Sequence, residues 1–203
     1  LRNNNFVNAS TPTGTGVAAA YIRSSTTLTN YAAASNNNNF YAGSPSANNL
    51  IYYDGTNSDQ TIADFKNRVT TRESNSFSEN STFVSTTGSD ATYLHISTTV
   101  PTQLDGGGTA IAGITTDIDG DTRSGVPDVG ADEFNGIPLD LNPPAISYTA
   151  LAKQTICTTA KTITATIADA SGVNTTAGTK PRLWYKKSTE KIKKVQAISE
   201  LTS

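Results

Sequence analysis

The chain has 203 residues, which is enough for one large domain or two small ones with a buried core. Charged residues make up 16%, Met is absent and the aromatic residues are mostly Tyr and Phe, a composition that favours strands and polar turns over helices. The formal net charge of −2 excludes the strong positive field that attracts nucleic acid or an anionic membrane surface. No apolar run approaches the roughly 18 residues that cross a bilayer. We therefore expect neither a nucleic-acid partner nor a membrane-spanning segment.

The chain begins at Leu1 and Arg2 without Met and carries no secretory signal sequence. We expect the chain to be a piece of a longer protein. The beginning of the chain does not reveal where that protein is located.

Reactive side chains are few. Cys157 has no second Cys with which to form a disulfide or a CxxC metal motif, so we expect it to be a small apolar core residue. His95 is the only His, and no neighbouring nucleophile with a supporting acid makes it a catalytic base, so a surface or core role is favoured. A basic cluster near the end predicts a solvated helix face; it comprises Lys186, Lys187, Lys191, Lys193 and Lys194.

Short apolar and aromatic runs, separated by turn-forming residues, predict strands in the first two thirds of the chain. Asp54-Gly55, Gly88 and the Gly triplet at 106–108 supply turns, because Gly adopts positive φ without a Cβ clash. The predicted strands are residues 19–22, 27–31, 49–53, 82–84 and 93–96.

Two Asn tracts recur, RNNNFVNA at residues 2–9 and SNNNNFYAG at residues 35–43. In a solenoid, Asn residues at equivalent turns of neighbouring coils align as a ladder of hydrogen-bonded amides, and the Phe that follows each tract stacks inside. The alternative is a polar loop of low complexity.

The segment SDQTIADFKNRV at residues 58–69 breaks the strand pattern. Ile62, Phe65 and Val69 fall on one face at helical spacing, and Ser58 or Asp59 is a candidate N-cap. A short amphipathic helix on the side of the solenoid is predicted.

The order of these motifs resembles the C-terminal end of the right-handed parallel β-helix proteins that bacteria secrete, the pectate-lyase-like family. The last coils of that family commonly end in a phrase similar to D-x-D-G-x-x-R followed by D-[IV]-G-A-x-E-[YF]. This chain has Asp117, Asp119, Gly120 and Arg123, then DVGADEF at residues 128–134. The resemblance covers about residues 30–136. It departs at Ser81, where a Pro is usual, and in the sequence PTQLD at residues 101–105.

The resemblance implies an all-β fold in which residues 1–136 form the last coils and cap of a right-handed parallel β-helix. Residues 137–144 contain three Pro and read as a linker. Residues 145–203 resemble an Ig-like module of Bacteroidetes-type surface proteins, with strands at 145–149, 161–167 and 182–186. Ile163, Ala165 and Ile167 share one face.

The Ig-like module is predicted to be incomplete, because about 60 residues remain where a full sandwich takes about 100. In the divergent tail at residues 187–203, roughly helical spacing relates Ile192, Val195 or Gln196, Ile198 and Leu201. A short C-terminal helix, with Ser188 or Thr189 as its cap, is therefore expected.

Residues 115–134 contain five Asp and one Glu. One interpretation is a calcium site, because Asp117, Asp119, Asp121 and Asp128 follow positions 1, 3, 5 and 12 of a calcium loop, although position 6 is Thr122 rather than Gly. The favoured interpretation is structural: Asp-Gly turns and caps close the last coil, and Arg123 clamps a carboxylate. No cofactor is expected, with calcium as the weaker alternative.

No catalytic residues are assigned. The basic residues before the acidic segment are Arg2, Arg23, Lys66, Arg68 and Arg72, and no repeated acidic array accompanies them as lyase chemistry in β-helices requires. An aromatic group could stack on sugars, but stacking inside the coils is favoured; it comprises Phe40, Tyr41, Tyr52 and Tyr53.

We expect a non-catalytic fragment of a secreted or cell-surface protein that serves adhesion, display or contact with polysaccharide or a surface glycan. The alternative is the terminal part of a carbohydrate-active lyase, hydrolase or epimerase whose active site lies upstream.

Overall fold

The computed structural model describes residues 1–150, 162–174, 176, 181–185 and 193–195. The chain divides into two compact units, Leu1–Leu139 and Asp140–Ser203, and the division falls inside the segment with three Pro residues. The described residues form mostly strands with one short helix, which agrees with the expected β class. Each sheet has two or three strands. Among the described helices, none is long and apolar enough to cross a membrane.

The first unit is built mainly from parallel strand pairs. β1 pairs with β3 and β2 with β4, both in parallel, while β5 turns back antiparallel to β4 and β6 pairs in parallel with β7. Parallel pairs require long crossovers, so each pair joins distant parts of the chain. The elements in chain order are β1 Asn5–Val7, β2 Ala18–Ile22, β3 Asn39–Tyr41, β4 Asn49–Tyr53, β5 Ser58–Asp59, α1 Ile62–Val69, β6 Pro101–Thr102 and β7 Ile137–Pro138.

The two Asn tracts form the predicted ladder. Asn5 pairs with Asn39 and Phe6 with Phe40 in the parallel register of β1 and β3. The Asn39 Nδ2 atom donates to Asn5 Oδ1 at 2.8 Å. The Phe6 and Phe40 rings stack with centroids 5.3 Å apart. The prediction of a ladder with stacked Phe rings is thus confirmed, and the low-complexity loop is excluded.

An aromatic core lies under the ladder. Phe40, Tyr52 and Phe65 are all fully buried, and the Tyr52 and Phe65 rings stack at 4.9 Å. Phe65 comes from α1, whose Val69 is also fully buried. Ile62 packs against the same cluster. The apolar stripe of the predicted helix therefore packs against the aromatic core.

The predicted cap of this helix was wrong. Thr61, not Ser58 or Asp59, is the N-cap, and its hydroxyl accepts from the Asp64 backbone N–H at 3.2 Å. Ser58 and Asp59 lie in β5 instead, where antiparallel pairing with β4 uses their backbone.

Three predicted strands are absent. In residues 27–31 the Tyr31 carbonyl accepts from Arg72 Nε at 2.8 Å, and the Tyr31 N–H turns back to Leu28, so no ladder forms. Residues 82–84 and 93–96 meet only through the isolated bridges of Phe83 with Ile96 and Ser85 with Tyr93. Leu94 has a φ of 59°, which interrupts the alternation expected there.

The second unit contains two antiparallel pairs, β8 with β9 and β10 with β11. Ile167 is buried and its neighbours in β9 are more exposed, as the alternating pattern predicts. Residues 193–195 form a strand, so the predicted C-terminal helix is wrong there, because these residues pair with β10. The rest of the tail and Cys157 lie outside the described residues. The strands are β8 Ala145–Tyr148, β9 Ala165–Ala168, β10 Leu183–Tyr185 and β11 Lys193–Val195.

Candidate functional site

The acidic segment begins with a turn organised by Asp117. Its Oδ1 atom accepts the backbone N–H groups of Asp119 and Asp121, at 2.9 and 2.8 Å, and its Oδ2 atom accepts that of Glu133 at 2.9 Å. Burial raises the pKa of Asp117, but these backbone donors outweigh burial and hold the pKa below its usual range. The carboxylate therefore serves as a local cap that joins the turn to residue 133.

Asp128 is a second internal cap. It is 3% exposed, and its two oxygens accept the backbone N–H groups of Gly106 and Phe134, each at 2.7 Å. Burial raises the pKa of Asp128 above its usual range, although the two backbone donors partly offset that effect.

Arg123 anchors the segment through Glu133 and two carbonyls. Its Nη1 atom lies 3.2 Å from Glu133 Oε2 and 3.1 Å from the Asp128 carbonyl oxygen, and its Nη2 atom donates to the Gly130 carbonyl at 2.8 Å. The clamp predicted for Arg123 is present, but it reaches one oxygen of Glu133 rather than both oxygens of a carboxylate.

The four residues considered for calcium do not converge. Asp117 and Asp128 each accept backbone N–H groups on both carboxylate oxygens, so both side chains act as local caps. Within the described residues, these four Asp side chains do not form a metal-ligand group. The spacing resembled a calcium loop because Asp-Gly turns use the same residue types.

The acidic segment also contacts the first Asn tract. The Asn3 carbonyl accepts from the Gly130 N–H at 2.9 Å, and the Asn3 side chain exchanges hydrogen bonds with the backbone of Thr109. A Cβ at Gly108 would lie 2.5 Å from the Pro127 carbonyl oxygen, so this close approach requires Gly. The segment was expected to close the last coil of a β-helix; in the structure it contacts the first Asn tract.

A different group of ligand-type side chains joins two residues of this segment to His95. His95, Asp119 and Asp132 each place one ligand atom within 4.8 Å of the others. His95 Nε2 lies 3.3 Å from Asp119 Oδ2, and these side chains are 30% and 44% exposed. Sequence reasoning missed this group, because no local spacing connects His95 with Asp119 and Asp132.

The aromatic residues considered for sugar stacking are largely internal. Phe40 and Tyr52 are fully buried, whereas Tyr41 and Tyr53 are partly buried at the strand ends. Burial raises the pKa of Tyr52, as does the hydrogen bond that its hydroxyl donates to Asp54 at 2.9 Å. Phe40 and Tyr52 thus pack inside the aromatic core.

Three Arg residues of the first unit bind neighbouring loops. Arg68 donates from Nε and Nη2 to the two carboxylate oxygens of Asp59, each at 2.6 Å. Arg72 donates to the Tyr31 carbonyl, and Arg23 Nη2 donates to the Thr27 carbonyl at 2.8 Å. These guanidinium groups therefore hold neighbouring loops in place.

Glu73 is a buried carboxylate that contacts the second Asn tract. It is fully buried and accepts hydrogen bonds from Tyr31, from Ser76 and, at 2.8 Å, from Asn38 Nδ2. Burial and then the bond to Glu73 raise the pKa of Tyr31 well above its usual value. Solvent and substrate do not reach this group, so its role is to fix the loop that contains Tyr31.

A cleft of about 200 Å³ opens between the first Asn tract and the acidic segment. Arg2 and Arg123 contribute the charged side chains, and the rest of the lining combines apolar residues such as Ile111 and Ile114 with polar ones such as Asn4. Comparisons of the chain with protein-family models, with curated proteins and with solved structures found no match. What the chain does is therefore inferred from its own residues.

Proposed function

We propose that this chain is a non-catalytic part of a secreted or cell-surface protein. It is the end of a right-handed parallel β-helix, followed by the beginning of an Ig-like module. It holds neighbouring parts of the protein at a distance, displays them and contacts polysaccharide.

The parallel pairing of the Asn tracts is the observation that carries the proposal. Asn5 and Asn39 hydrogen-bond across 34 residues, and the Asn38 N–H donates to Ser76 Oγ across 38 residues. Asn39 also bridges to Phe77 in parallel. Side chains that recur at one position of successive coils are typical of solenoids, which are long and stiff and suit display.

Contacts of the basic residues support the non-catalytic part of the proposal. Elimination from a uronic-acid polymer needs a base and a cation beside the substrate. In the coils Arg68 is paired with Asp59, and Arg72 and Arg23 bind backbone carbonyls. These groups are occupied in positioning loops.

The antiparallel pairs of the second unit support the Ig-like assignment. β8 pairs with β9 over four residues, from Ala145 with Ala168 to Tyr148 with Ala165. Antiparallel neighbours are the building units of a β-sandwich. In this pair Ile167 of β9 is buried, whereas the four residues of β8 are exposed. An Ig-like module after a β-helix would act as a spacer.

Polysaccharide contact is assigned to the cleft beside the first Asn tract. Arg2 is exposed there, and a guanidinium group binds carboxylate or hydroxyl oxygens of a sugar. Asn4 and Ser124 add polar groups to the cleft wall, and its volume suits about one sugar unit.

The test combines binding and turnover on polygalacturonate and alginate. We expect the purified chain to be retained on the immobilised polymers and to release no unsaturated oligosaccharide, measured by ultraviolet absorbance. Arg2→Ala should weaken retention several-fold, whereas Lys66→Ala, which removes the same charge from α1, should not. Release of unsaturated products would refute the non-catalytic role, and equal retention of both variants would refute binding at the cleft.

A further inference from the structure

The group formed by His95, Asp119 and Asp132 has the composition of a transition-metal site. One imidazole and two carboxylates are ligands that zinc and similar divalent ions accept, whereas calcium prefers six to eight oxygens. We propose that these three side chains bind one divalent ion of the zinc type, which cross-links three loops of the first unit. The proposal does not depend on the display function.

The distances are close to those that a small ion requires. Zinc bonds of 2.0–2.1 Å to nitrogen and oxygen place neighbouring tetrahedral ligands about 3.3 Å apart. His95 Nε2 and Asp119 Oδ2 already lie 3.3 Å apart. The remaining distances are at most 4.8 Å, so a small rotation of the carboxylates would complete the three protein ligands.

Outer contacts hold two of the ligands in place. Asp132 Oδ2 accepts the Ile96 backbone N–H at 2.9 Å, which fixes this carboxylate beside the residue that follows His95 and leaves its Oδ1 atom for a metal. Ile118 precedes Asp119, and Ala131 precedes Asp132. The Ile118 backbone N–H donates to the Ala131 carbonyl at 3.1 Å. Such supporting contacts orient ligands in metal sites.

The open side of the group suits a fourth ligand. The His95 side chain is 30% exposed and the Asp119 side chain 44% exposed, so water reaches the place where the ion would lie. Three protein ligands and one water fill a tetrahedral zinc shell. The ion would offset the repulsion between the two carboxylates and join the loops at residues 95, 119 and 132.

The experiment is a calorimetric titration of the whole chain with Zn²⁺, with Ca²⁺ and Mg²⁺ as parallel titrants. Cys157→Ser provides the background, because a thiolate elsewhere would also bind zinc. His95→Gln, Asp119→Asn and Asp132→Asn remove the ligands one at a time. Asp121→Asn is the matched control, since it removes the same charge from the same acidic loop and Asp121 is outside the group.

We expect one saturable Zn²⁺ site, a weaker response to Ca²⁺ and Mg²⁺, and affinity at least about tenfold lower in each ligand variant, the lower end of what outer contacts alone cost. Asp121→Asn should bind Zn²⁺ as the background does. Far-UV circular dichroism without metal identifies any variant that fails to fold, and Co²⁺ absorption in the background protein reports tetrahedral coordination. Absence of saturable Zn²⁺ binding, or equal affinity in folded ligand variants and control, would overturn the proposal.

Discussion

The Asn ladder should contribute measurably to the stability of the first unit, and Asn39 is the residue at which to test it. Asn39 is fully buried. Its Nδ2 atom donates to Asn5 Oδ1 and to the Glu79 carbonyl, at 2.8 and 2.9 Å, and its Oδ1 atom accepts the Glu79 N–H at 2.8 Å. Asn39→Ala removes these three hydrogen bonds and a fourth, from Nδ2 to Ser81 Oγ at 3.2 Å, and leaves the partner groups in place.

The expected loss follows from the partners that are left without a hydrogen bond. The backbone N–H and the backbone carbonyl of Glu79 both lose their hydrogen-bond partner. Asn5 Oδ1 keeps the hydrogen bond from Ser81 Oγ at 2.9 Å. A buried group left unsatisfied costs about 1–3 kcal/mol. Because such costs are not additive, we expect Asn39→Ala to lower the free energy of unfolding by about 2–4 kcal/mol.

Urea unfolding followed by far-UV circular dichroism measures this free energy. Asn80→Ala is the matched control, because Asn80 follows Glu79 in the chain and is exposed; it should change the free energy of unfolding by less than about 0.5 kcal/mol. Asn39→Asp keeps the acceptor for the Glu79 N–H but removes the amide donor, so it should also destabilise the protein at neutral pH. If Asn39→Ala and Asn80→Ala unfold at the same urea concentration, the amide ladder does not stabilise the first unit.

Phe65→Ala should lower the free energy of unfolding by about 3–5 kcal/mol in the same urea assay, because it opens a cavity in the aromatic core; a loss under about 1 kcal/mol would mean that α1 does not pack as described. Arg123→Ala should lower the thermal midpoint by several degrees, since it leaves Glu133 without its cation, and Arg123→Lys should recover part of that loss; identical midpoints in all three proteins would exclude the clamp. Burial raises the pKa of Asp54, but hydrogen bonds from Asn57, Thr56 and Tyr52 hold it at about 2, below the ordinary 3.8. Because the folded pKa is lowered, the resulting stability of about 1–2 kcal/mol, discounted for solvent screening, is present above pH 3.8 and is lost as the pH falls through 2. Urea unfolding at pH 5 and pH 2 should therefore show a smaller loss in Asp54→Asn than in the unmodified chain, and equal losses would contradict this origin of the pH dependence.

Features encoded by neighbouring residues could be predicted from the sequence. The Asn tracts carry the same local motif twice, so their alignment in the ladder follows from the repetition. The helix is also local, since Phe65 and Val69 lie four residues apart on one face. Even there the cap at Thr61 was missed, because the choice among Ser58, Asp59 and Thr61 depends on where β5 ends.

Features that depend on distant partners could not be predicted. Residues 27–31 have strand-like composition, but Arg72 satisfies the Tyr31 carbonyl from a loop far along the chain. The grouping of His95 with Asp119 and Asp132 depends on the folding of three loops against each other. The calcium interpretation considered only the spacing of the carboxylates. It did not consider the backbone N–H groups that donate hydrogen bonds to Asp117 and Asp128.

The hydrogen bonds between Asn3 and Thr109 have a consequence for how the first unit folds and comes apart. They join residues 106 positions apart. Closing a segment of that length costs about 4 kcal/mol of chain entropy, so this contact should form late in folding. Residues 86–92 are exposed in the intervening chain. A protease that cuts there would leave two polypeptides that stay associated and migrate as one particle until a denaturant separates them.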